Sequence, residues 1–278
     1  MRRLRISAIS YLNTAPLLWD FEHGPAGADF DISYTVPSQC AASLQVGTAD
    51  IGIIPAAAYA TIPGLAVIPE VAIASRQAVR SILLVSKVPL EQIRLVALDT
   101  SSLTSVALLQ VLFAKWWGGE RRFAAVPPDL DAMLEQHDAA LLIGDPALRV
   151  DRSRHRTYDL AEEWIRLTGK PFVFAFWAVR QAALTEVSSE PRLVTAFQQS
   201  RDHGLQTPNL RRIASEWGPR LRITEHEVTT YLTQNIHYYL DAECIQGLQL
   251  FYRYAAECKV LSRAPALQFL GTATPAAV

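Results

Sequence analysis

The feature that most constrains the fold is an alternation of strand-like and helix-like segments that occurs twice along the chain. The first alternation comprises residues 3–9, 14–23, 30–36, 38–47 and 49–55, and the second comprises 94–99, 102–117, 122–126, 130–136 and 138–144. Short strand–helix–strand crossovers connect parallel strands of one sheet. The sequence therefore predicts an α/β fold with two lobes, each of them a mainly parallel sheet flanked by helices.

Two segments are expected to join the lobes, an outgoing one at 81–93 and a strongly apolar return strand at 172–179. Helical periodicity from about 191 to 259 predicts helices that cover the first lobe. We therefore expect residues 1–83 and 176–278 to form the first lobe and residues 84–175 to form the second. Residues 262–278 are rich in Ala, Pro and Thr, which predicts a loosely held tail.

Composition restricts the class of partner. Half of the 278 residues are apolar and the formal net charge is −1, so a large core is available and the basic surface of a nucleic-acid-binding protein is not expected. The N-terminal residues lack the apolar run of a secretory signal, and no segment is apolar enough to span a membrane. We expect a cytoplasmic protein that binds a small molecule, with neither a nucleic acid nor a membrane as partner. The oligomeric state is left open.

Motifs for cofactors are missing from the sequence. The three cysteines form no CxxC pair and the six histidines are scattered, so no metal is expected. The chain also lacks the glycine-rich GxGxxG and GxxxxGK[ST] motifs of nucleotide-binding loops. We therefore expect neither a metal nor a nucleotide cofactor.

The two lobes should enclose a cleft, and ligands of open α/β sheets bind at the carboxyl ends of the strands. After the first strand, Tyr11, Asn13 and Thr14 offer an aromatic face and hydrogen-bonding groups. Asn13 is equally consistent with a turn or cap residue. Pro55 ends another strand at the same predicted edge.

The loop and helix start at residues 100–105 carry five hydroxyl side chains, those of Thr100, Ser101, Ser102, Thr104 and Ser105. A helix cap needs only one of them, and the free N–H groups of a helix start favour anions, so the surplus indicates a carboxylate-binding site. Ser38 opens another predicted helix, which ends at Gly47, and acts there either as the N-cap or as a second anion site. Two such sites would suit a dicarboxylate.

Four further candidates lie at the crossing segments and strand ends. Arg80 is interpreted either as a partner of a ligand carboxylate or as a solvated hinge residue, and Trp177 lies on the return strand. Gly144 lets the backbone approach a ligand, and Asp145 either contacts the ligand or caps the following turn. None of the candidate loops contains a His, Lys or Glu placed as a general base.

The motifs YLN at 11–13, S-x-T-S-V-A-L-L at 102–109 and LLIGD at 141–145 occur in an order that resembles the chorismate dehydratase family of the futalosine route to menaquinone. The resemblance covers nearly the whole chain and fades in the C-terminal helices. A related lyase family that acts later in the route typically has a Pro-Asn-Asp-type loop where this chain has YLNTAP.

This resemblance implies a type II periplasmic-binding-protein-like clamp. It also implies a hydro-lyase that converts chorismate to 3-[(1-carboxyvinyl)oxy]benzoate without a metal or organic cofactor. Asn13 and Ser81 match the family's functional positions, and the resemblance implies that they lie against the reacting part of chorismate. The chain departs from the family at Cys40, where many relatives have Leu, and at Gln77 and Ala78, where Gly-Pro is common; the latter change leaves the hinge geometry open.

Two other functions remain possible at this stage. A clamp of this shape also serves as a non-enzymatic binding protein, and the hydroxyl-rich loop would suit the sugar of a nucleoside-like substrate of a related lyase.

Overall fold

A computed structural model describes residues 2–186 and 189–271, which form two five-stranded sheets with helices on their faces. The strands are β1 Leu4–Ile9, β2 Phe30–Thr35, β3 Ile51–Pro55, β4 Leu65–Ser75, β5 Ile82–Ser86, β6 Leu95–Asp99, β7 Arg122–Val126, β8 Ala139–Ile143, β9 Arg156–Asp159 and β10 Phe172–Arg180. The α-helices are α1 Trp19–His23, α2 Pro37–Val46, α3 Ala56–Tyr59, α4 Thr104–Leu112, α5 Leu130–Gln136, α6 Gly144–Leu148, α7 Leu160–Thr168, α8 Glu190–Gly204, α9 Thr207–Leu221, α10 Glu225–Thr230 and α11 Ala242–Glu257.

The two sheets share one plan. Their strand orders are β2-β1-β3-β10-β4 and β7-β6-β8-β5-β9. In each sheet the fourth strand is antiparallel to both of its neighbours, while the first three strands are parallel. These reversed strands, β10 and β5, are the ones that enter a lobe from the other lobe. The predicted two-lobed α/β fold is confirmed, and each sheet is mixed, with two parallel and two antiparallel strand pairings.

The lobe boundaries inferred from the sequence fall inside strands. The break after residue 83 cuts β5, which pairs with β8 and β9, and the break before residue 176 cuts β10, which pairs with β3 and β4. The sequence pattern also predicted no strand at β4. Pro69 and Glu70 interrupt its apolar run, and Glu70 has a φ of 63°.

Helix α2 begins one residue earlier than expected. Pro37 is its first residue and Val36 its N-cap, without a side-chain cap, so the prediction of Ser38 as the N-cap is wrong. Proline suits the first helical position because its fixed φ matches the helix and no N–H is needed there. The predicted end at Gly47 is confirmed, since this residue adopts a φ of 79° in the left-handed region.

An aromatic cluster packs the lobes together beside the return strand. Trp164 of α7 lies 5.3 Å, ring centroid to ring centroid, from Phe172 of β10, which lies 5.1 Å from Phe251 of α11. All three rings are fully buried. Such edge-to-face pairs each contribute about 0.5–1.5 kcal/mol beyond the area they bury.

The start of the C-terminal tail is held by strand β4. The N–H of Val67 donates to the carbonyl of Gln268 at 2.7 Å, and the N–H of Leu270 donates to the carbonyl of Val67 at 2.8 Å. Because Leu270 is also buried, the prediction of a loosely held tail is wrong for this part. Residues 272–278 lie outside the described residues. Within the described ranges, no helix is both long and apolar enough to cross a membrane.

Candidate functional site

A cavity of about 440 Å³, including its open mouth, lies between the carboxyl ends of the strands of the two sheets. The predicted site residues that line it are Tyr11, Asn13, Pro55, Ser102, Thr104, Ser105 and Gly144. Most of the other lining side chains are apolar, and in the described part of the chain none of the lining residues is charged. The strand-end loops predicted from the sequence therefore form much of one site.

The start of helix α4 supplies unpaired hydrogen-bond donors to this cavity. Among the described residues, the hydroxyls of Ser102 and Ser105 have no hydrogen-bond partner, although both residues are largely buried. The N–H of Ala107 is the first one bonded within the turn, to the carbonyl of Leu103 at 3.0 Å. The N–H of Ser102 is bonded to the carbonyl of Asp99 at 3.0 Å, so the N–H groups of residues 103–106 are the ones available to an anion, which the helix dipole also favours.

Thr104 has a different role from its neighbours. Its hydroxyl donates to the carbonyl of Phe174 at 3.0 Å and accepts from the N–H of Ala57 at 3.1 Å. Since a threonine hydroxyl has one proton, this proton is not available to a ligand. Thr104 therefore connects the two lobes at the edge of the cavity.

Ser101 is also committed to the protein. Its hydroxyl donates to Oδ1 of Asp99 at 2.6 Å, so at its contact of 3.3 Å with the Tyr11 hydroxyl it acts as the acceptor. The proton of Tyr11 is therefore directed to Ser101, and the Tyr11 oxygen can only accept from a ligand. Burial raises the pKa of Asp99 above its usual range, while the hydrogen bonds from Ser101 act in the opposite direction.

Gly144 allows the ring of Tyr11 to lie against the backbone. A Cβ atom at this position would lie 2.5 Å from Cδ2 of Tyr11, and the φ of Gly144 is 59°. Both conditions exclude an unstrained side chain here. The close approach predicted for the glycine is thus made by Tyr11 of the same chain.

Asp145 links the lobes from the end of β8. Its Oδ1 accepts the N–H of Leu12 at 3.0 Å. Burial raises the pKa of the Asp145 carboxyl to about 6, against the lowering effect of the Leu12 hydrogen bond and of Arg149. Asp145 is not one of the residues that line the cavity in the described structure, but it follows directly on Gly144, which is.

Asn13 lines the cavity, and its hydrogen bonds are made to residues outside the cavity lining. Its Oδ1 accepts the hydroxyl of Thr14 at 3.3 Å, and its backbone carbonyl accepts the hydroxyl of Tyr238 at 3.0 Å. Ser81 is fully buried and does not line the cavity. Its Oγ accepts the hydroxyl of Tyr231 at 2.8 Å, and Tyr231 is also almost fully buried.

Sequence reasoning did not single out Tyr231. It begins a π-helical turn, Tyr231–Asn235, in the C-terminal helical region. Turns of this type are rare and often occur at functional sites, but the amino-acid pattern around Tyr231 is that of an ordinary buried helix.

Ser38 and Trp177 were also predicted as site residues, and both lie away from the cavity. Ser38 uses its N–H for the carbonyl of Ser101 at 3.1 Å, so this helix start is occupied by the opposite lobe instead of an anion. Trp177 is fully buried, with its ring 4.9 Å from that of Phe197 on α8, because its side of β10 faces that helix.

Arg80 is held by its backbone at the outgoing hinge. It has a φ of 64°, and its N–H donates to Oδ2 of Asp159 at 2.6 Å. Its guanidinium interacts electrostatically with Glu227 and Arg152 and is not in the cavity lining. Arg80 thus shapes the chain before Ser81, and its side chain does not serve the cavity.

One cluster of metal-ligand type occurs in the described ranges, away from the cavity. Ligand atoms of His237, Asp241 and Cys244 lie within 4.8 Å of one another. Asp241 is bonded to His237 at 2.6 Å and to Arg76 at 2.8 Å, and it accepts the N–H of Cys244 at 3.0 Å. Burial alone would raise the pKa of Asp241, but these bonds lower it overall. The Arg76 guanidinium already balances the carboxylate charge.

The sequence model of a family described as menaquinone biosynthesis matches residues 4–257. The chain belongs to this menaquinone biosynthesis family. A chorismate dehydratase from Thermus thermophilus is 29% identical, in an alignment that covers 90% of this chain and 94% of that protein.

Solved structures with the same fold have low sequence identity to this family member. A crystal structure of a protein from Archaeoglobus fulgidus has a TM-score of 0.74 at 16% identity and covers 93% of this chain and 98% of its own. The periplasmic aliphatic sulphonate-binding protein SsuA from Escherichia coli has a TM-score of 0.65 at 16% identity and covers 100% of this chain and 97% of its own. These neighbours establish a periplasmic-binding-protein-like fold.

Proposed function

We propose that this menaquinone-biosynthesis family member is a chorismate dehydratase, a hydro-lyase that converts chorismate to 3-[(1-carboxyvinyl)oxy]benzoate and water. The observation that carries the proposal is the cavity between the lobes, which combines unpaired hydrogen-bond donors with an apolar, uncharged lining. The name and 29% identity of the Thermus thermophilus relative support chorismate as the substrate.

In this proposal, one carboxylate of chorismate binds at the start of α4. The hydroxyls of Ser102 and Ser105 and the free N–H groups of the first turn donate to its oxygens. The apolar lining, including Ile82 and Ile143, covers the carbon ring. An uncharged cavity can hold a dianion in this way because charge-assisted hydrogen bonds strengthen where water is excluded.

The reaction removes a proton from the ring carbon that carries the enolpyruvyl ether and a hydroxide from the neighbouring carbon. The cavity lining in the described structure contains no His, Lys, Asp or Glu that would act as a base. We infer that the enolpyruvyl carboxylate of the substrate takes the proton. The C–H electron pair forms the new ring double bond as the C–O bond breaks. The departing hydroxide takes the same proton from the enolpyruvyl carboxyl group and leaves as water, which restores the carboxylate.

Asn13 is proposed to orient the reacting part of chorismate from the cavity surface, with Ser81 behind it. Closure of the lobes, fastened at Thr104 and Asp145, would exclude bulk water and fix the reactive geometry. Aromatisation of the ring supplies the driving force for the loss of water.

The test is to incubate the purified protein with chorismate and follow both mass and ultraviolet absorption. The proposal predicts a product lighter by one water with a benzoate-type spectrum. A sample without protein controls for the spontaneous rearrangement of chorismate, which leaves its mass unchanged. A folded protein that binds chorismate without forming this product would indicate a non-enzymatic binding protein. A folded protein that neither binds nor converts chorismate would favour the related lyase with a nucleoside-like substrate.

A further inference from the structure

We propose that Tyr11 is a specificity-determining residue that accepts a hydrogen bond from the ring hydroxyl of the substrate, and that Ser101 is a positioning residue that keeps the Tyr11 oxygen an acceptor. The inference rests on the proposed function and adds to it the recognition of the leaving group. It follows from the direction of two hydrogen bonds beside the cavity.

The hydroxyl proton of Ser101 is committed to Asp99. Oγ of Ser101 lies 2.6 Å from Oδ1 of Asp99, and the N–H of Ser101 donates to the same oxygen at 2.8 Å. Because Oδ1 accepts this N–H, a proton on the Asp99 carboxyl would reside on Oδ2, and Oδ1 is the acceptor in either charge state. Both residues are buried, so water does not compete for these bonds.

The hydroxyl proton of Tyr11 is committed in turn to Ser101. Oη of Tyr11 lies 3.3 Å from Oγ of Ser101, and since the serine proton points to Asp99, the tyrosine donates. Among the described residues no other group is hydrogen-bonded to this hydroxyl, so its oxygen keeps a lone pair for a ligand. Burial raises the pKa of Tyr11 against the lowering effect of the Ser101 bond, so the hydroxyl stays protonated.

The Tyr11 side chain is held at both ends. Its hydroxyl joins the loop after β1 to the loop after β6, and its ring lies against the backbone of Gly144, where a Cβ atom would approach the ring to 2.5 Å. Tyr11 lines the cavity, as does Ser102, which follows Ser101 and carries one of the free hydroxyl donors. The cavity therefore offers a fixed acceptor as well as donors.

The groups of chorismate match this division. The two carboxylates and the ether oxygen only accept hydrogen bonds, and the ring hydroxyl is the one group that donates. An oxygen that can only accept repels a carboxylate and fits the hydroxyl. When the proton of this hydroxyl points to Tyr11, its lone pairs point elsewhere and are free to take the proton from the enolpyruvyl carboxyl group. Tyr11 thus selects the leaving group and orients it.

The test uses two ligands that do not react. One is the ring-saturated analogue of chorismate, which cannot aromatise, and the other is the same compound with hydrogen in place of the ring hydroxyl. Dissociation constants are measured by isothermal titration calorimetry. We expect wild type to bind the hydroxyl compound about five- to tenfold more tightly, the effect of one hydrogen bond. In Tyr11→Phe this preference should disappear or reverse, because the hydroxyl loses its acceptor.

Ser101→Ala tests the positioning role. The change frees the Tyr11 proton to turn into the cavity, so the preference for the hydroxyl compound should fall to about twofold or less although the Tyr11 oxygen is still present. A merely structural role of Ser101 would weaken both ligands equally and leave the preference unchanged. If one of the two variants fails to fold, the other still tests the direction of the Tyr11 hydrogen bond.

Tyr59→Phe is the matched control. The Tyr59 hydroxyl also makes one donated bond, to the carbonyl of Ala266 at 3.4 Å, and it accepts the N–H of Gln268 at 3.0 Å. In the described structure Tyr59 does not line the cavity, so its removal should leave both affinities and their ratio as in wild type.

The proposal is overturned if wild type shows no preference for the hydroxyl compound or if Tyr11→Phe keeps it. Equal weakening of both ligands in Tyr11→Phe would also overturn it, since Tyr11 would then donate to a carboxylate. An unchanged preference in Ser101→Ala would refute the role of Ser101. Wild type that neither converts chorismate nor binds either analogue would refute the proposed function itself, whereas turnover together with any of the other results refutes this inference alone.

Discussion

Asp145 provides a stringent test of how the lobes are joined. Its carboxyl is largely buried and accepts one N–H, that of Leu12 at 3.0 Å, and burial raises its pKa to about 6. We expect Asp145→Asn to stabilise the protein at neutral pH. The amide oxygen can still accept from Leu12, and the cost of burying a negative charge is removed.

The magnitude follows from the pKa. Moving a carboxyl pKa from 3.8 to about 6 corresponds to about 3 kcal/mol of stability. Because the carboxyl keeps part of its contact with solvent, we expect a gain of about 1–2 kcal/mol at pH 7. The folded pKa lies above the unfolded value, so the folded protein holds the proton more tightly between about pH 4 and pH 6. The stability of wild type should therefore fall as the pH rises through this window.

The assay is urea unfolding of wild type and Asp145→Asn at several pH values from 4 to 8. The difference in unfolding free energy should grow from near zero at about pH 4 to its full size above about pH 6. Asp131→Asn, which changes an exposed carboxylate in α5, serves as the control and should show no such growth. A variant less stable than wild type at pH 7 would show that the charge of Asp145 stabilises the closed lobes and would refute this reasoning.

Four further substitutions test the cavity. Ser102→Ala and Ser105→Ala each remove a free hydroxyl donor, and loss of a charge-assisted bond of about 1.5–3 kcal/mol should raise KM for chorismate by roughly ten- to a hundredfold; an unchanged KM in both would contradict the carboxylate site. Gly144→Ala places a Cβ 2.5 Å from the Tyr11 ring at a φ of 59°, so urea unfolding should show a loss of about 1–3 kcal/mol, and equal stability would be contrary to expectation. Asn13→Asp introduces a negative charge beside a substrate carboxylate and should lower turnover; undiminished turnover would remove the role assigned to Asn13.

The sequence predicted the fold class and the loops that meet at the cavity, because both depend on local patterns. Alternating strands and helices specify parallel sheets, and residues at strand ends and helix starts meet at one edge of a sheet. This is why Tyr11, Asn13, Ser102 and Ser105 were found together. The same patterns missed β4, whose apolar run is interrupted by Pro69.

The individual roles could not be predicted, since they depend on contacts between residues distant in the sequence. The proton of Thr104 is directed to Phe174, and the helix start at Ser38 faces the carbonyl of Ser101. Tyr231 contacts Ser81 across 150 positions and has the sequence pattern of any core aromatic residue. The donor and acceptor in each hydrogen bond of a buried network can be assigned only when the positions of all its residues are known.

The central claim, that the cavity holds chorismate and leaves proton removal to the substrate, is tested most directly with an altered substrate. In the analogue, a carboxamide replaces the enolpyruvyl carboxylate, and binding and single-turnover product formation are measured at saturating concentration beside chorismate. The account predicts that the analogue binds but forms no benzoate product, whereas chorismate loses water. Product formation from the carboxamide at a rate close to that of chorismate would contradict the account, because the base would then belong to the protein.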